Sequence, residues 1–327
     1  MPNTVVKPYL HVVAGVIRNP KNAQSIFITQ RLKGTHLENL WEFPGGKVEK
    51  KESRFHALRR ELYEEVGIVI KSALPIQTVF HQYKEKNIQL DVWEVLEYEG
   101  EPHGKEGQSA KWIKVDELAE HDFPEADQSV LKAITLPPEL LITPDFPEHD
   151  LETNIQHFSR LMRKHPYKLV LFRGHHLTDD VYAALAVQLE IICKQHAAQL
   201  IITRPTLKSL QGELFSQFKR VHINSYILQS LSSNPFDESI SLSASCHDDA
   251  ELTMALRLKV EFSVLSTVRE TLSHPGRQAK GWYRFRHIAE QAGLPVYALG
   301  GVVRKDYRLS RYQGAIGVAG ISDFWTV

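Results

Sequence analysis

Cysteine is scarce in this chain. Only Cys193 and Cys246 occur among 327 residues. Two cysteines are too few for a disulfide framework, so a reducing compartment, the cytoplasm, is expected. No apolar run approaches the roughly 20 residues needed to span a bilayer. The opening residues, MPNTVVKPYLHVVAGVIRNP, lack a charged start followed by a long apolar core, so no signal peptide is expected there. Neither sign of charge is in excess, with 39 basic and 39 acidic residues. That argues against bulk nucleic-acid binding, which needs a basic surface. The sixteen histidines are scattered, and none forms an HExxH or a similar close zinc pair.

One stretch is dense with information. Gly46 to Ile68 reads GKVEKKESRFHALRRELYEEVGI. It fits G-x5-E-x7-R-E-U-x-E-E-x-G-U (U apolar) at Gly46, Glu52, Arg60, Glu61, Leu62, Glu64, Glu65, Gly67 and Ile68. Ser53 to Val66 has helical spacing, with Phe55, Leu58, Leu62 and Val66 as its apolar stripe. Glu61, Glu64 and Glu65 therefore crowd one side of a helix. Like charges so spaced weaken a bare helix by a few tenths of a kcal/mol per pair, at about that order. A hard divalent cation offsets the repulsion, because Mg²⁺ takes carboxylate oxygens and brings its own waters and substrate phosphates. Glu52 stands just before the helix, where a carboxylate favours the positive N-terminal end.

The chain divides near Pro137 and Pro138 in TLPPEL, since adjacent prolines stop helices and mark a stiff connector. We expect one domain over 1–135 and a second over 136–327. The second has a regular beat of short apolar strands: 140–143, 168–172, 199–203, 220–223, 239–243, 261–265, 295–299 and 314–319. Helical stretches such as 179–196, 248–258 and 283–292 separate several of them. Strands alternating with helices imply a parallel sheet, and eight units predict a compact (β/α)₈ TIM barrel. An open doubly wound sheet has the same spacing.

The 23-residue motif resembles a Nudix box. The surrounding segments FITQRLKGTHLENLWEFPGGK (27–47), EGEPHGKEGQSAKWIKVDEL (99–118) and DFPEAD (122–127) resemble the MutT-type 8-oxo-dGTP diphosphatases. The likeness covers residues 9 to 134 and implies a Nudix α/β/α sandwich around a mixed sheet. It implies Mg²⁺, with Mn²⁺ as a substitute, held by Glu61, Glu64, Glu65, Glu106 and the Gly46 backbone. Glu61, Glu65 and Glu106 are the implied catalytic carboxylates, with Glu61 and Glu106 both open as general base. Gly45, Gly46 and Lys47 would lie against phosphates. Arg31, His36 and Phe43 would line the nucleoside pocket, and Arg60 would orient a glutamate. The implied reaction is attack at the β-phosphorus of a nucleoside triphosphate, giving monophosphate and pyrophosphate. Its setting would be nucleotide-pool sanitising, related to DNA repair and replication.

One position departs from that pattern. These enzymes carry asparagine after FPxA, and this chain carries Asp127. An asparagine amide both donates and accepts, which suits the O6 acceptor and N7–H donor of 8-oxoguanine. An ionised carboxylate only accepts. Asp127 would then accept from N7–H, with a dry pocket protonating it so that it does not repel O6, or face the donors on the Watson–Crick edge of guanine.

The second domain resembles the thiamine phosphate synthase and thiazole tautomerase superfamily over about 139–327. The likeness rests on ELLIT, SASCH (243–247), STVRETLSHPGRQAKGW (266–282), LPVYALGGV (294–302) and GAIGVAGISDFW (314–325). Gly300 and Gly301, with Gly317, Ala319 and Gly320, follow or end the last two strands. Small residues there let backbone N–H groups approach an anion. Thr271 and Ser273 add hydroxyls, and the ligand would be a phosphorylated thiazole or thiamine-like compound. The synthase carboxylates are missing. The basic run after the second strand reads Arg173, Gly174, His175, His176. The positions after the third and fourth strands read Thr203, Arg204, Pro205 and Asn224, Ser225, Tyr226. His274 replaces a lysine. Pyrophosphate displacement is therefore not expected. Proton transfer by His176, His247 or His274, ligand binding, and a structural role stay open. For the whole chain, the alternatives are a hydrolase of a thiamine-related pyrophosphate or dinucleotide, and a hydrolase regulated by a ligand-sensing barrel.

Overall fold

The computed structural model describes residues 8–203, 217–271 and 279–327. The chain separates into two compact units, Met1–Leu136 and Pro137–Val327.

The first unit is built on a seven-stranded mixed sheet. Its strands are β1 (Tyr9–Asn19), β2 (Asn22–Gln30), β3 (Trp41–Glu42), β4 (Gly45–Lys47), β5 (Val69–Gln82), β6 (Asn87–Glu99) and β7 (Ala110–Lys114). The order is β3-β2-β1-β6-β5, with β4 added to β1 and β7 to β2. β1 runs parallel to β6 and antiparallel to β2 and β4. Alternation along β1 decides what each face does. Val13 and Ile17 join the core under helix α1 (Arg54–Val66), while Leu10, Val12 and Ala14 line a cavity.

Local chemistry bounds α1 closely. Ser53 is the N-cap, its hydroxyl accepting from His56 N at 3.2 Å. Gly67 ends the helix with φ +77°, a conformation glycine adopts without steric cost. Ala57, Leu58, Leu62 and Val66 form the buried stripe, and Phe55 is only partly buried against it. Glu52 stands just before the helix, as expected, and pairs with Arg60 through Nε at 3.1 Å and Nη2 at 2.9 Å. Those bonds hold its carboxyl below the usual range. A short helix α2 (Gln128–Thr135) packs on β5.

The second unit is a closed parallel barrel, and the open sheet is excluded. Its strands are β8 (Glu139–Ile142), β9 (Leu169–Phe172), β10 (Gln199–Ile202), β11 (Arg220–Ile223), β12 (Ser241–Cys246), β13 (Phe262–Leu265), β14 (Val296–Ala298) and β15 (Gly317–Gly320). β15 closes on β8, with Ala319 opposite Leu140. All eight expected strands are present, the fifth displaced a few residues toward Cys246. The helices α3 (Leu151–Lys164) and α4 (Asp179–Gln195) are the first in the barrel's outer ring. A polar layer crosses the barrel. His222 is 5 % exposed and binds Ser243 Oγ at 2.9 Å through Nδ1 and Ser245 Oγ at 2.8 Å through Nε2. Burial holds its pKa down to about 3, so it stays neutral.

Candidate active site

The pairing of β4 with β1 sets Gly45 and Gly46 beside α1. Glycine is needed at both by close approach. A Cβ on Gly45 would stand 2.1 Å from Val13 O, and one on Gly46 would stand 2.2 Å from Glu61 Oε2. The Gly45 N–H donates to Glu65 Oε2 at 2.7 Å. That amide is thus engaged by a carboxylate, and Gly45 lines both cavities of this unit.

Three of the four expected acidic residues line one polar cleft: Glu61, Glu65 and Glu106. Glu65 is the most enclosed. Burial, joined by the charge of Glu42, pushes its pKa up to about 7 against the bond from Gly45. Glu64 turns away, 53 % exposed, onto Arg60 Nη1 at 3.2 Å. The same Arg60 atom holds Glu61 at 2.8 Å. Among the described residues no group of three or more acidic, histidine or cysteine side chains is arranged to hold a metal ion as it stands. The donor set nonetheless suits a hard divalent cation, because the cleft concentrates carboxylate oxygens from Glu42, Glu61, Glu65 and Glu106 around a single lining cation, Arg31.

Glu106 reaches the cleft on a loop docked to the end of α1. His103 N donates to Val66 O at 3.1 Å and Lys105 N to Glu65 O at 3.0 Å. These bonds satisfy carbonyls that a helix end leaves unpaired. Gln108 joins loop and helix. Its Oε1 accepts from Glu106 N at 2.8 Å and its Nε2 donates to Glu65 O at 3.1 Å.

A second cavity, mainly apolar and about 220 Å³, adjoins this cleft. Arg31, His36, Phe43, Gly46, Lys47 and Asp127 all line it. Phe43 is 3 % exposed and packs on Phe123 with centroids 5.5 Å apart. It serves the core and the cavity wall together. Arg31 Nε donates to His36 O at 2.7 Å, and its Nη1 pairs with Glu42. The buried His36 Nε2 has no hydrogen-bond partner among the described residues. Asp127 is 6 % exposed. Burial first, then the charge of Glu42, pushes its pKa up to about 7, with Arg31 opposing.

Four residues escaped sequence reasoning. Tyr83 and Lys86 enter the second cavity from the β5–β6 turn, far from any motif. The ring of Tyr83 lies edge-on to His36 at 5.3 Å, and burial lowers the Lys86 pKa. Glu42 lies inside the quoted EFPGGK segment, but nothing in its spacing marked it. Gln108 was visible only as part of KEGQ.

In the barrel, Thr271, Gly300, Gly301, Ala319 and Gly320 line one cavity of about 390 Å³. Gly300 and Gly301 follow β14 with φ +101° and +63°. Gly320 leaves space for the Phe324 ring, which a Cβ would approach to 2.2 Å. Gly317 is buried in β15, where a Cβ would stand 2.2 Å from Pro138 O, and it is not among the residues lining the cavity. Arg173 lines it too, but is paired with Asp145. Asn224 caps the helix Ser225–Ser230, accepting from Ile227 N at 2.9 Å. Beyond β12, His247 Nδ1 lies 3.0 Å from Glu251 Oε2. Burial alone would raise the Glu251 pKa, but bonds from Ser225, His247 and Gln229 outweigh it and hold it low. Ser273, His274, Arg204 and Pro205 lie outside the described residues.

Comparison with known proteins agrees with this two-part construction. The NUDIX domain family matches residues 13–133, and the thiamine monophosphate synthase family matches 140–324. The 8-oxo-dGTP diphosphatase of Escherichia coli is 41 % identical over 122 residues, 37 % of this chain and 93 % of that protein. The CTP pyrophosphohydrolase of the same organism is 32 % identical over 124 residues, 38 % of this chain and 90 % of its own length. A putative thiamine-phosphate synthase 2 of Aquifex aeolicus is 25 % identical over 173 residues, 53 % of this chain and 90 % of that one. The chain therefore belongs to the Nudix hydrolases through its first unit and to the thiamine monophosphate synthase family through its second. No helix among the described residues is long and apolar enough to cross a membrane.

Proposed function

We propose that the domain over 1–135 hydrolyses an oxidised purine nucleoside triphosphate, such as 8-oxo-dGTP, to the monophosphate and pyrophosphate with Mg²⁺. A nucleotide-pool sanitising role in the cytoplasm follows from that activity. One observation carries the reading. A mainly apolar cavity containing the enclosed carboxyl of Asp127 adjoins a cleft lined by Glu61, Glu65 and Glu106. The first suits a flat base and the second a polyphosphate with its cation.

Glu61, Glu65 and Glu106 would hold Mg²⁺, or Mn²⁺ in its place, with the Gly46 backbone, and Glu64 would join from the rim. The ion supplies charge neutralisation at the phosphate oxygens and makes water more acidic. Arg60 holds Glu61 and Glu64 until they are needed as ligands. Lys47, at the cavity rim, meets phosphate as a point charge. The carboxylate of Glu106 or of Glu61 takes the proton of the attacking water. Phe43 and His36 flank the base. Asp127, kept neutral below about pH 7, donates to O6 of 8-oxoguanine and accepts from N7–H. The kinship with a CTP pyrophosphohydrolase makes base choice the point to test. Asp127→Asn should alter the ratio of 8-oxo-dGTP to dGTP turnover. An unchanged ratio removes Asp127 from base recognition.

For the domain over 136–327 we infer a phosphate-ligand site at Thr271, Gly300, Gly301 and Gly320. A phosphorylated thiazole or thiamine-like compound is the class that kinship favours. A second reading, proton transfer by His247, is favoured by the contact that orients it on Glu251.

A further inference from the structure

One residue of the barrel joins two of the turns that wall its cavity. Arg269, just past β13, takes both carbonyl oxygens of the glycine pair that follows β14. Its backbone N–H donates to Gly300 O at 2.9 Å, and its Nη1 donates to Gly301 O at 3.2 Å. In a trans peptide the C=O and the N–H that follows it point opposite ways. Holding those two oxygens on Arg269 therefore turns the N–H groups of Gly301 and Val302 away from it. Gly301 and Val302 line the cavity and Arg269 is not among its lining residues. Neither N–H has an acceptor among the described residues. The approach is close, since a Cβ on Gly301 would stand 2.7 Å from Arg269 Cβ.

Asp306 fixes the guanidinium. Its Oδ2 accepts from Arg269 Nη1 at 2.7 Å and its Oδ1 from Nη2 at 3.2 Å. The same Oδ2 accepts from Val303 N at 3.0 Å, which ties down the chain just beyond the glycines. Burial alone would raise the Asp306 pKa, but the bonds from Arg269 and Val303 outweigh it and hold it low, so the carboxylate stays charged. A forked pair of charged bonds sets the plane of a guanidinium as no single bond sets an ammonium. We propose that Arg269 is a positioning residue for an anion site in this cavity: braced by Asp306, it holds the carbonyls of Gly300 and Gly301 aside and leaves the N–H groups of Gly301 and Val302 to a phosphate. The assignment rests on the phosphate-ligand reading of the barrel and deepens it. The guanidinium is already committed to Asp306 and Gly301 O, so it acts through the turn and not on the ligand.

The test titrates inorganic phosphate, without Mg²⁺, into the full chain nitrogen-labelled at glycine and valine, and follows the amide signals of Gly301 and Val302. Both should move together on the unmodified chain. Arg269→Ala keeps the backbone bond to Gly300 O and loses the one to Gly301 O. Its dissociation constant should rise about tenfold, the order of one hydrogen bond to a charged acceptor. The shift at saturation should shrink at Val302 more than at Gly301. Arg269→Lys can still pair with Asp306 and should regain part of the affinity. The titration reads folded chains, so lost stability alone leaves the dissociation constant where it was. Unchanged binding in Arg269→Ala overturns the positioning role and leaves the phosphate reading standing. Weaker binding with the Val302 shift intact overturns it as well, because the Gly301 carbonyl then has no part. No movement of either signal on the unmodified chain overturns both readings together. If Arg269→Ala fails to fold, Asp306→Asn decides: it keeps an acceptor for Val303 N, drops the charge that braces the guanidinium, and should weaken phosphate binding, while unchanged binding there overturns the role.

Discussion

Gly46 and Glu61 compete for one space: a Cβ on the glycine would lie 2.2 Å from Glu61 Oε2 and 2.3 Å from its carboxyl carbon. The glycine of the motif thus does steric work for the glutamate 15 residues later, which lies in the motif's second half. Gly46→Ala should push the Glu61 carboxyl out of the cleft. Displacement of a reacting group by about 1 Å can cost roughly a hundredfold in rate. Turnover should fall by that order, with the urea midpoint nearly unchanged because Glu61 can turn toward solvent. Wild-type turnover in Gly46→Ala would contradict the steric argument.

Glu65→Gln keeps the shape and the acceptor for Gly45 N but removes the charge. We expect at least about a hundredfold loss of activity with little loss of fold, because a neutral amide is a poor partner for a hard cation. Steady-state rates across Mg²⁺ concentrations check this, alongside circular dichroism.

Gln108→Ala should loosen Glu106 from the end of α1, since one side chain bonds both. Residues that orient a ligand typically cost about 10- to 100-fold in metal affinity when removed. The Mg²⁺ concentration for half activation should rise by about that factor. Gln108→Glu should not restore it, because a carboxylate cannot donate to Glu65 O. A normal Mg²⁺ requirement in Gln108→Ala would remove Gln108 from this role.

Asp127 sets a pH dependence of stability. Its folded pKa, about 7, lies above the ordinary 3.8 of an exposed aspartate. Between those values the folded chain keeps a proton that the unfolded chain has lost. Stability from this group is therefore full at acid pH and falls as pH rises toward 7. Asp127→Asn has nothing to ionise. Its advantage over the natural chain should be near zero at about pH 4 and reach a few kcal/mol near pH 8, at about 1.4 kcal/mol for each tenfold change in proton affinity. Urea melts at both pH values measure it, and a constant difference would count against a buried carboxyl.

Much of this molecule was legible before any coordinates. The barrel strands announced themselves because strands buried on both faces read as short continuous apolar runs, such as KLVLF and QLIIT. Helix α1 was legible because its apolar spacing and the motif agree. Glu52 stands ahead of the helix as its position indicated, but its ion pair with Arg60 was not legible, because only the folded turn brings the two together. Tyr83 and Lys86 carry no periodic signal; only sheet pairing brings their turn to the cavity. Glu42 is equally silent in sequence, since what distinguishes it is a shared wall between two cavities.

The two sheets treat their margins differently. In the barrel, β8 and β15 bond to each other and leave no strand unflanked. In the first unit the order ends at β5, a 14-residue strand whose outer backbone row meets no further strand among the described residues. Register slips near Ser72 and Pro75 break the regularity of that margin, as natural edges do to discourage unwanted pairing. Should an extended peptide or another copy of this chain ever dock by strand addition, β5 is the template it would find.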